Sequence, residues 1–572
     1  VSAPLDMARI GQLREAALSA EKAGRAGEAQ GLFDAALALA PREPRLLNSA
    51  GGSALRLGDT TRAEALYARA CKAAPGELEY AVNHAIVLEQ LDRAGEAVRL
   101  LRGLEAKGRH DARYWSTRGS AERASGDLAA ASASYEACLA LNAGHVRGLH
   151  GRARIALERG EGDASARYAK ALAVNQGDAN LWLGRAMALE AEGQFAEARQ
   201  IADALSAQMP GWLDVHRYLA ELRLNTEEGA LQDGRFADHY AAASRALPGN
   251  AGLALAWVGA LSGADCTAEA HAVGEDALAR MPEDPDVRVA AASAASAASD
   301  LARADALFAD LPAREGRAGV LARVEEARHR LRCRDPERAE ALLARALDDA
   351  PHDVSGWGLR SLAWRMLDDP REEWLHGQPN MVRRLPLAIS DDQWDEIKAL
   401  LHALHETSFV PVGQSVRGGS QTRGGLFART EAPLKVLHDA ILEVIETYRA
   451  GLPPCDPGHP LLARRDEDLA IAGSWSVRLG PGGRHTVHIH PQGVLSSALY
   501  IDLPPLAEDA PGAGCLEVGG APPEMGLDLP PRQIVPPLEK HLTLFPSTLF
   551  HGTAPFAQGR RMTVAFDVAV RS

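Results

Sequence analysis

Cysteine is scarce in this chain. Its six residues, Cys71, Cys138, Cys266, Cys333, Cys455 and Cys515, stand far apart. That spacing gives neither a disulfide framework nor a Cys-x-x-Cys metal site, so a reducing cytoplasm is the expected compartment. Long apolar runs are also missing. No stretch approaches the roughly 20 residues that span a bilayer, so no membrane is expected. The stretch "VSAPLDMARIGQLREAALSA" lacks the basic-then-apolar pattern of a signal peptide. Positive charge is in deficit, with 62 Lys and Arg against 76 Asp and Glu, a net charge of −14. That balance argues against nucleic acid as a partner. What remains is soluble globular composition, 46% hydrophobic and 24% charged. At 572 residues the chain is too long for one ordinary core, and at least two domains are expected.

The first 360 or so residues are rich in Ala and Leu at helical spacing, and they repeat. Gly24, Gly58, Asp92, Gly126 and Gly160 recur every 34 residues, and Gly193 follows after 33. Ala29, Ala63, Ala97 and Ala131 keep the same step, as do Pro41 and Pro75, and later Pro248 and Pro282. A small residue where two helices touch, a turn glycine between them and a closing proline define a helical hairpin. Such a unit cannot bury its apolar face alone, so it stacks on its neighbours. This pattern resembles the tetratricopeptide repeat family, with about nine units, the last near 335–351. The resemblance implies a concave surface that presents a peptide or protein. The alternative use of such an arm is as a scaffold or a homodimerisation element.

After "SGWGLRSLAWRMLDDPREEW" the pattern changes. "SDDQWDEIKALLHALHE" predicts an amphipathic helix with Ser390 as N-cap and Gln393 closing a capping box. "APLKVLHDAILEVIETYRA" predicts a second helix. From about 470 the period drops to two. "GSWSVRLG", "HTVHIH", "LSSALYIDLP", "GCLEVGG", "HLTLFPS" and "RMTVAFDVAV" predict short strands. The expected fold is an all-α superhelical repeat arm over 1–365, a linker over 366–385, and an α+β domain over 386–572 with a double-stranded β-helix (jelly-roll) core.

"RHTVHIHPQG" concentrates three of the chain's nineteen histidines in six residues. Residues two apart on a strand point to the same side, so His488 and His490 face one way and Val487 and Ile489 the other. Two imidazoles on one face can share a metal ion. The best third ligand is His551 in "LTLFPSTLFHGTAPF", just past the turn after Pro546. Arg561 follows ten residues later, at the start of the last strand.

This arrangement resembles the iron(II)/2-oxoglutarate oxygenases, which carry a His-x-(Asp/Glu) pair on one strand, a distal His, and an Arg about ten residues beyond it. "HIHPQGVLSSALYIDLP", "LFPSTLFHGTAPF", "RRMTVAFDV" and "QSVRGGSQTRGGLF" look more specifically like the oxygenases found behind tetratricopeptide repeats in bacteria. The resemblance implies an iron(II)- and 2-oxoglutarate-dependent dioxygenase that hydroxylates a side chain of a peptide or protein presented by the repeats. Iron(II), 2-oxoglutarate and O₂ would be its cofactors, with ascorbate as a reductant. His488 and His551 carry over as metal ligands, and Arg561 as the two-pronged partner of the 2-oxoglutarate carboxylate. Ser476, Ser497 or Thr563 would add a hydroxyl.

The expected carboxylate position holds His490 instead. Three readings stay open: His490 ligates, water takes its place, or the register shifts so that His490 is the first ligand or Asp502 or Glu517 supplies the last. His-x-His with a third His also resembles zinc sites of the carbonic anhydrase kind, which serve hydration or hydrolysis. Arg561 separates the two readings, because a zinc hydrase needs no such residue. A scaffold whose oxygenase fold has lost its chemistry is a further alternative. "GGSQTRGG" lacks the Gly-Lys-Ser/Thr ending of a phosphate loop. Its Gln421, Thr422 and Arg423 are candidates for the substrate entrance, and so are Arg478 and Arg484. Trp475 is expected in the core, as are His402, His405, His438, His485 and His541 in core or surface roles. Arg560 falls on the opposite side from Arg561.

Overall fold

The computed structural model describes residues 7–408, 410, 412–505 and 512–571; the first six residues of the amino-terminal stretch lie outside them. The chain divides into two compact units, Val1–Ala188 and Leu189–Ser572.

The first unit is built of helix pairs such as Ala26–Leu39 after Met7–Lys22, and Thr60–Ala73 after Pro44–Arg56. The repeating alanines sit where helices touch: Ala29, Ala63, Ala97 and Ala131 are all fully buried. The turn positions explain the 34-residue step. Gly24, Gly58, Gly126, Gly160 and Gly193 have φ between 65° and 85°, and Asp92 has φ 57°. That left-handed conformation ends the first helix of each hairpin, and glycine adopts it without a Cβ clash. The next helix is then capped by a carboxylate, as where Asp59 accepts from Arg62 N at 3.0 Å and Asp127 from Ala130 N at 3.0 Å.

The second unit opens with further helices of the same kind, among them Ala251–Gly263, Pro285–Ala297, Gly316–Arg332 and Val354–Met366. Here the left-handed turn position is held by Asp265, Ser299, Arg334 and Asp368 instead of glycine. Beyond His376 the strands begin: β1 (Arg383–Pro386), β2 (Val416–Gln421), β3 (Leu469–His485), β4 (Leu495–Asp502), β5 (Leu516–Val518), β6 (Gln533–Val535), β7 (His541–Pro546), β8 (His551–Thr553) and β9 (Arg561–Val570). They form a six-stranded sheet, β1-β7-β4-β9-β3-β2, and a three-stranded sheet, β6-β5-β8, with antiparallel pairing throughout.

Helices Asp391–Leu404 and Ala432–Ala450 cover one face of the large sheet. Their Trp394, Ile397, Leu437 and Ile441 share a core with Leu499, Leu544, Val564 and Phe566. The expected capping box is present: Gln393 N donates to Ser390 Oγ and Ser390 N to Gln393 Oε1. On the other face, Tyr500 and Phe545 pack against Leu516, Val518 and Val535 of the small sheet.

The segment "HTVHIH" is not the regular strand its alternation predicts. β3 ends at His485, and only His488 pairs further, in an isolated bridge to His551. The facing strand β8 is three residues long and already pairs with β5, and Pro491 has no N–H to extend a ladder. The alternation survives nonetheless. Val487 and Ile489 pack with Leu359, Leu362 and Phe550, so the histidine segment is seated on the core of the last repeat helices.

Candidate metal centre and its pocket

Two elements hold the histidines together. His488 N donates to His551 O and His551 N to His488 O, each at 2.9 Å. The imidazoles converge, with ring centroids 4.3 Å apart for His488–His551 and 4.9 Å for each pair with His490. Ligand atoms of all three lie within 4.8 Å of one another, and the Nε2 atoms of His488 and His490 are 2.9 Å apart.

Each Nδ1 has an acceptor. His488 Nδ1 lies 2.8 Å from Thr486 O, His551 Nδ1 3.0 Å from Leu549 O, and His490 Nδ1 2.5 Å from Asp567 Oδ1. An Nδ1–H that donates outward fixes the tautomer and leaves an Nε2 lone pair facing in. Burial disfavours the charged forms of two of the rings: it lowers the His488 pKa to about 3 and that of His551 well below its usual range, and the neighbouring imidazoles add to both shifts. Three imidazoles with ligand atoms this close together offer the donor set of a facial metal site.

The walls follow from strand alternation. On β9, Arg561, Thr563 and Ala565 line the pocket and Asp567 reaches His490, while Met562, Val564, Phe566 and Val568 enter the core behind. Arg561 is 2% exposed. Its guanidinium lies 5.2 Å from the centre of the Tyr500 ring, and no carboxylate pairs with it among the described residues. Its Nε has no hydrogen-bond partner, and burial lowers its pKa from the usual range. A buried guanidinium with no carboxylate partner among the described residues, in one pocket with three convergent imidazoles, fits a carboxylate ligand.

The other predicted residues divide. Thr563, Ser497 and Gln421 line the pocket. The Ser497 hydroxyl is committed to the backbone of Phe566, donating to its O and accepting from its N, each at 2.8 Å. Ser476 is not at the pocket, and Trp475 is. On β3, Trp475 pairs with Ala565 and Ser476 with Val564, so alternation puts the indole on the pocket face and the hydroxyl behind the sheet. The Ser476 hydroxyl there donates to Thr563 O at 3.0 Å and meets His405. Arg478 shares the rear face and pairs with Glu406 at 2.9 Å. Thr422 pairs with the backbone of Ser476, and Arg423 is tied to Glu190 at 2.8 Å and Glu221 at 3.0 Å, so neither opens on the pocket. Arg484 is exposed and lines a larger neighbouring cleft with Glu517. Asp502 meets His402 at 3.3 Å, away from the three histidines.

Asp567, Trp475 and His485 are among the residues at or beside the pocket that were not predicted as site residues. Asp567 carried a signal, since it lies six residues after Arg561 on one strand and therefore on the same face. Trp475, 5.5 Å from His490 by ring centroid, was assigned to the wrong side. His485 stacks 6.0 Å from His488 and shares Ser415 with it, Oγ lying 3.0 Å from His485 Nδ1 and 3.3 Å from His488 Nε2. Its partner Ser415 lies seventy residues away in the chain, in the stretch "QSVRGGSQTRGGLF", and spacing alone does not pair the two.

Helical repeats followed by antiparallel sheets that gather three imidazoles and a buried arginine define a repeat protein with a candidate metal site in its β domain. Comparison with known families agrees with this layout. Residues 473–567, which hold the three histidines and Arg561, match the family described as "Putative 2OG-Fe(II) oxygenase". Residues 14–77 match the tetratricopeptide repeat. The chain is 27% identical over 237 residues to Protein FlbA of Caulobacter vibrioides, a match covering 39% of this chain and 40% of that protein. It thus spans less than half of that relative. Among solved structures, a tetratricopeptide repeat protein from Parabacteroides merdae is 18% identical with a TM-score of 0.36, covering 41% of this chain and 93% of that one. A thermophilic TPR protein of Thermus thermophilus is 24% identical with a TM-score of 0.27, covering 32% and 98%.

Proposed function

We propose that the chain is an iron(II)- and 2-oxoglutarate-dependent dioxygenase that hydroxylates a side chain of a peptide or protein. The observation that carries this reading is that three convergent imidazoles share one pocket with the buried Arg561, whose Nε has no hydrogen-bond partner and which pairs with no carboxylate among the described residues. His488, His490 and His551 would hold the iron. Arg561, with Thr563 beside it, would hold the far carboxylate of 2-oxoglutarate. The two packed sheets would be the halves of a double-stranded β-helix. When bound, iron and 2-oxoglutarate supply the oxidation: R–H, O₂ and 2-oxoglutarate give R–OH, succinate and CO₂.

The protein's own part is placement. Backbone carbonyls aim His488 and His551, and Asp567 aims His490. In this reading Asp567 also returns, one imidazole away, the negative charge that a carboxylate ligand would have brought. Trp475 and Phe545 flank the imidazoles and limit water, the latter 4.8 Å from His551 by ring centroid. Three convergent histidines are equally a zinc donor set, and that observation keeps a zinc hydrolase as the second reading. Zinc chemistry leaves Arg561 without a task.

Metal binding tests the ligand set. His551→Ala is expected to abolish binding of cobalt(II), used as a coloured stand-in for iron. Retained stoichiometric cobalt with unchanged d–d bands would remove His551 from the site.

A further inference from the structure

His485 and Thr553 line both the histidine pocket and a neighbouring cleft of about 970 Å³. One wall of that cleft is the β domain around Val487 and Pro555. The other comes from three successive repeats: Val258 on helix Ala251–Gly263, Val289 on Pro285–Ala297 and Leu321 on Gly316–Arg332. Leu321 is 54% exposed there, an apolar side chain of this size left open beside a metal pocket.

The charges in the cleft largely cancel. Asp286 pairs with Arg314 at 2.7 Å and Glu325 with Arg328 at 3.6 Å. Arg332 and Arg484 are balanced by Glu517 and Glu524, none of the four in an ion pair among the described residues. A groove for a polyanion would carry an excess of Lys and Arg, and one for a cationic ligand an excess of carboxylates. A balanced set over an apolar floor complements a neutral occupant with an apolar side chain. The volume is at the upper end of the roughly 300–1,000 Å³ of small-molecule pockets, and its helical wall spans three repeats. Both features favour a length of chain over a compact metabolite.

We propose that this cleft is the substrate groove, and that it takes a segment of polypeptide with little net charge and an apolar side chain seated on Val289 and Leu321. The segment would pass His485 and Thr553 to present its reacting side chain to the three histidines. The grip then belongs to the repeats between 251 and 332. The proposal rests on the oxygenase reading and names the substrate class for it.

The test reads binding without turnover, so the two ideas can fail separately. Short random peptides displayed on phage are selected on the immobilised full chain. The selected sequences are synthesised with a fluorophore and titrated by anisotropy. Selected peptides are expected to be near neutral and to share an apolar residue. Leu321→Glu should weaken them about tenfold or more, since it sets a charge against that residue. Leu321→Met should keep the affinity. Ile534→Glu, at a residue similarly exposed outside the cleft (53%), should leave it within about twofold. Affinities indifferent to Leu321→Glu, selection of strongly charged peptides only, or no selection above background would overturn the groove. If peptides bind as described but 2-oxoglutarate neither binds in the presence of iron nor yields succinate, the groove stands as a peptide site and the oxygenase reading falls.

Discussion

At the scale of single residues, the decisive feature is a histidine where the resembling family carries a carboxylate. His490 is one of three imidazoles whose Nδ1 is held by an acceptor, and the only one of the three whose acceptor is charged. Asp567→Asn keeps the size and loses the charge. It is expected to weaken iron(II) or cobalt(II) binding by about 10–100-fold, with Asp567→Glu recovering part of the loss. Anaerobic titration measures this, and an unchanged affinity would make Asp567 a bystander. The cluster of three histidines and Arg561 was legible because its spacing is local: two residues within a segment, ten between His551 and Arg561. Ser476 and Trp475 were exchanged because alternation defines two faces without saying which is the inner one.

At the scale of elements, the repeats are written in their turns. The hairpin step was readable wherever glycine fills the left-handed position, and hard to read where Asp265, Ser299, Arg334 and Asp368 fill it instead. Gly126 has φ 85°, and a Cβ there would meet nothing within 4 Å. Gly126→Ala should therefore cost about 1–2 kcal/mol from the backbone alone. Ser299→Gly runs the other way. Relief of the left-handed cost exceeds the extra unfolded-state freedom of glycine, for a net gain of about 0.5 kcal/mol. Denaturant unfolding of both variants checks the pair; equal effects of the same sign would refute the turn argument. Gly358 is a separate case of close approach. A Cβ there would lie 2.4 Å from Ile489 Cδ1 and 3.1 Å from Thr548 O. Gly358→Ala should push the histidine segment and lower metal affinity, although the residue touches no ligand. Strands β1, β2, β6 and β8 went unread because they are short and held by distant partners, β1 lying mostly in the stretch expected as a linker.

At the scale of the whole molecule, buried histidines set the response to acid. Burial lowers the pKa of His376 and of His405 to about 3, from an ordinary value of 6.5. Below pH 6.5 the unfolded chain takes up protons that these folded side chains refuse. Their contribution is complete above about 6.5 and is lost as the pH falls from there toward 3. Each can contribute a slope of up to about 1.4 kcal/mol per pH unit. Unfolding measured between pH 7 and 4 should show stability falling with pH, and His405→Gln should flatten the curve. A slope unchanged by that variant would assign the acid response to other groups.

The same scale holds the central claim, that iron and 2-oxoglutarate share the pocket of the three histidines and Arg561. The direct measurement is succinate formed from 2-oxoglutarate by the purified full chain under air. Iron(II) with ascorbate is set against zinc(II), and Arg561→Met is run beside the parent. Succinate that requires iron and falls at least about tenfold in Arg561→Met is the expected result, as a lost bidentate charged contact implies. No succinate, together with no 2-oxoglutarate binding in the presence of iron, would contradict it.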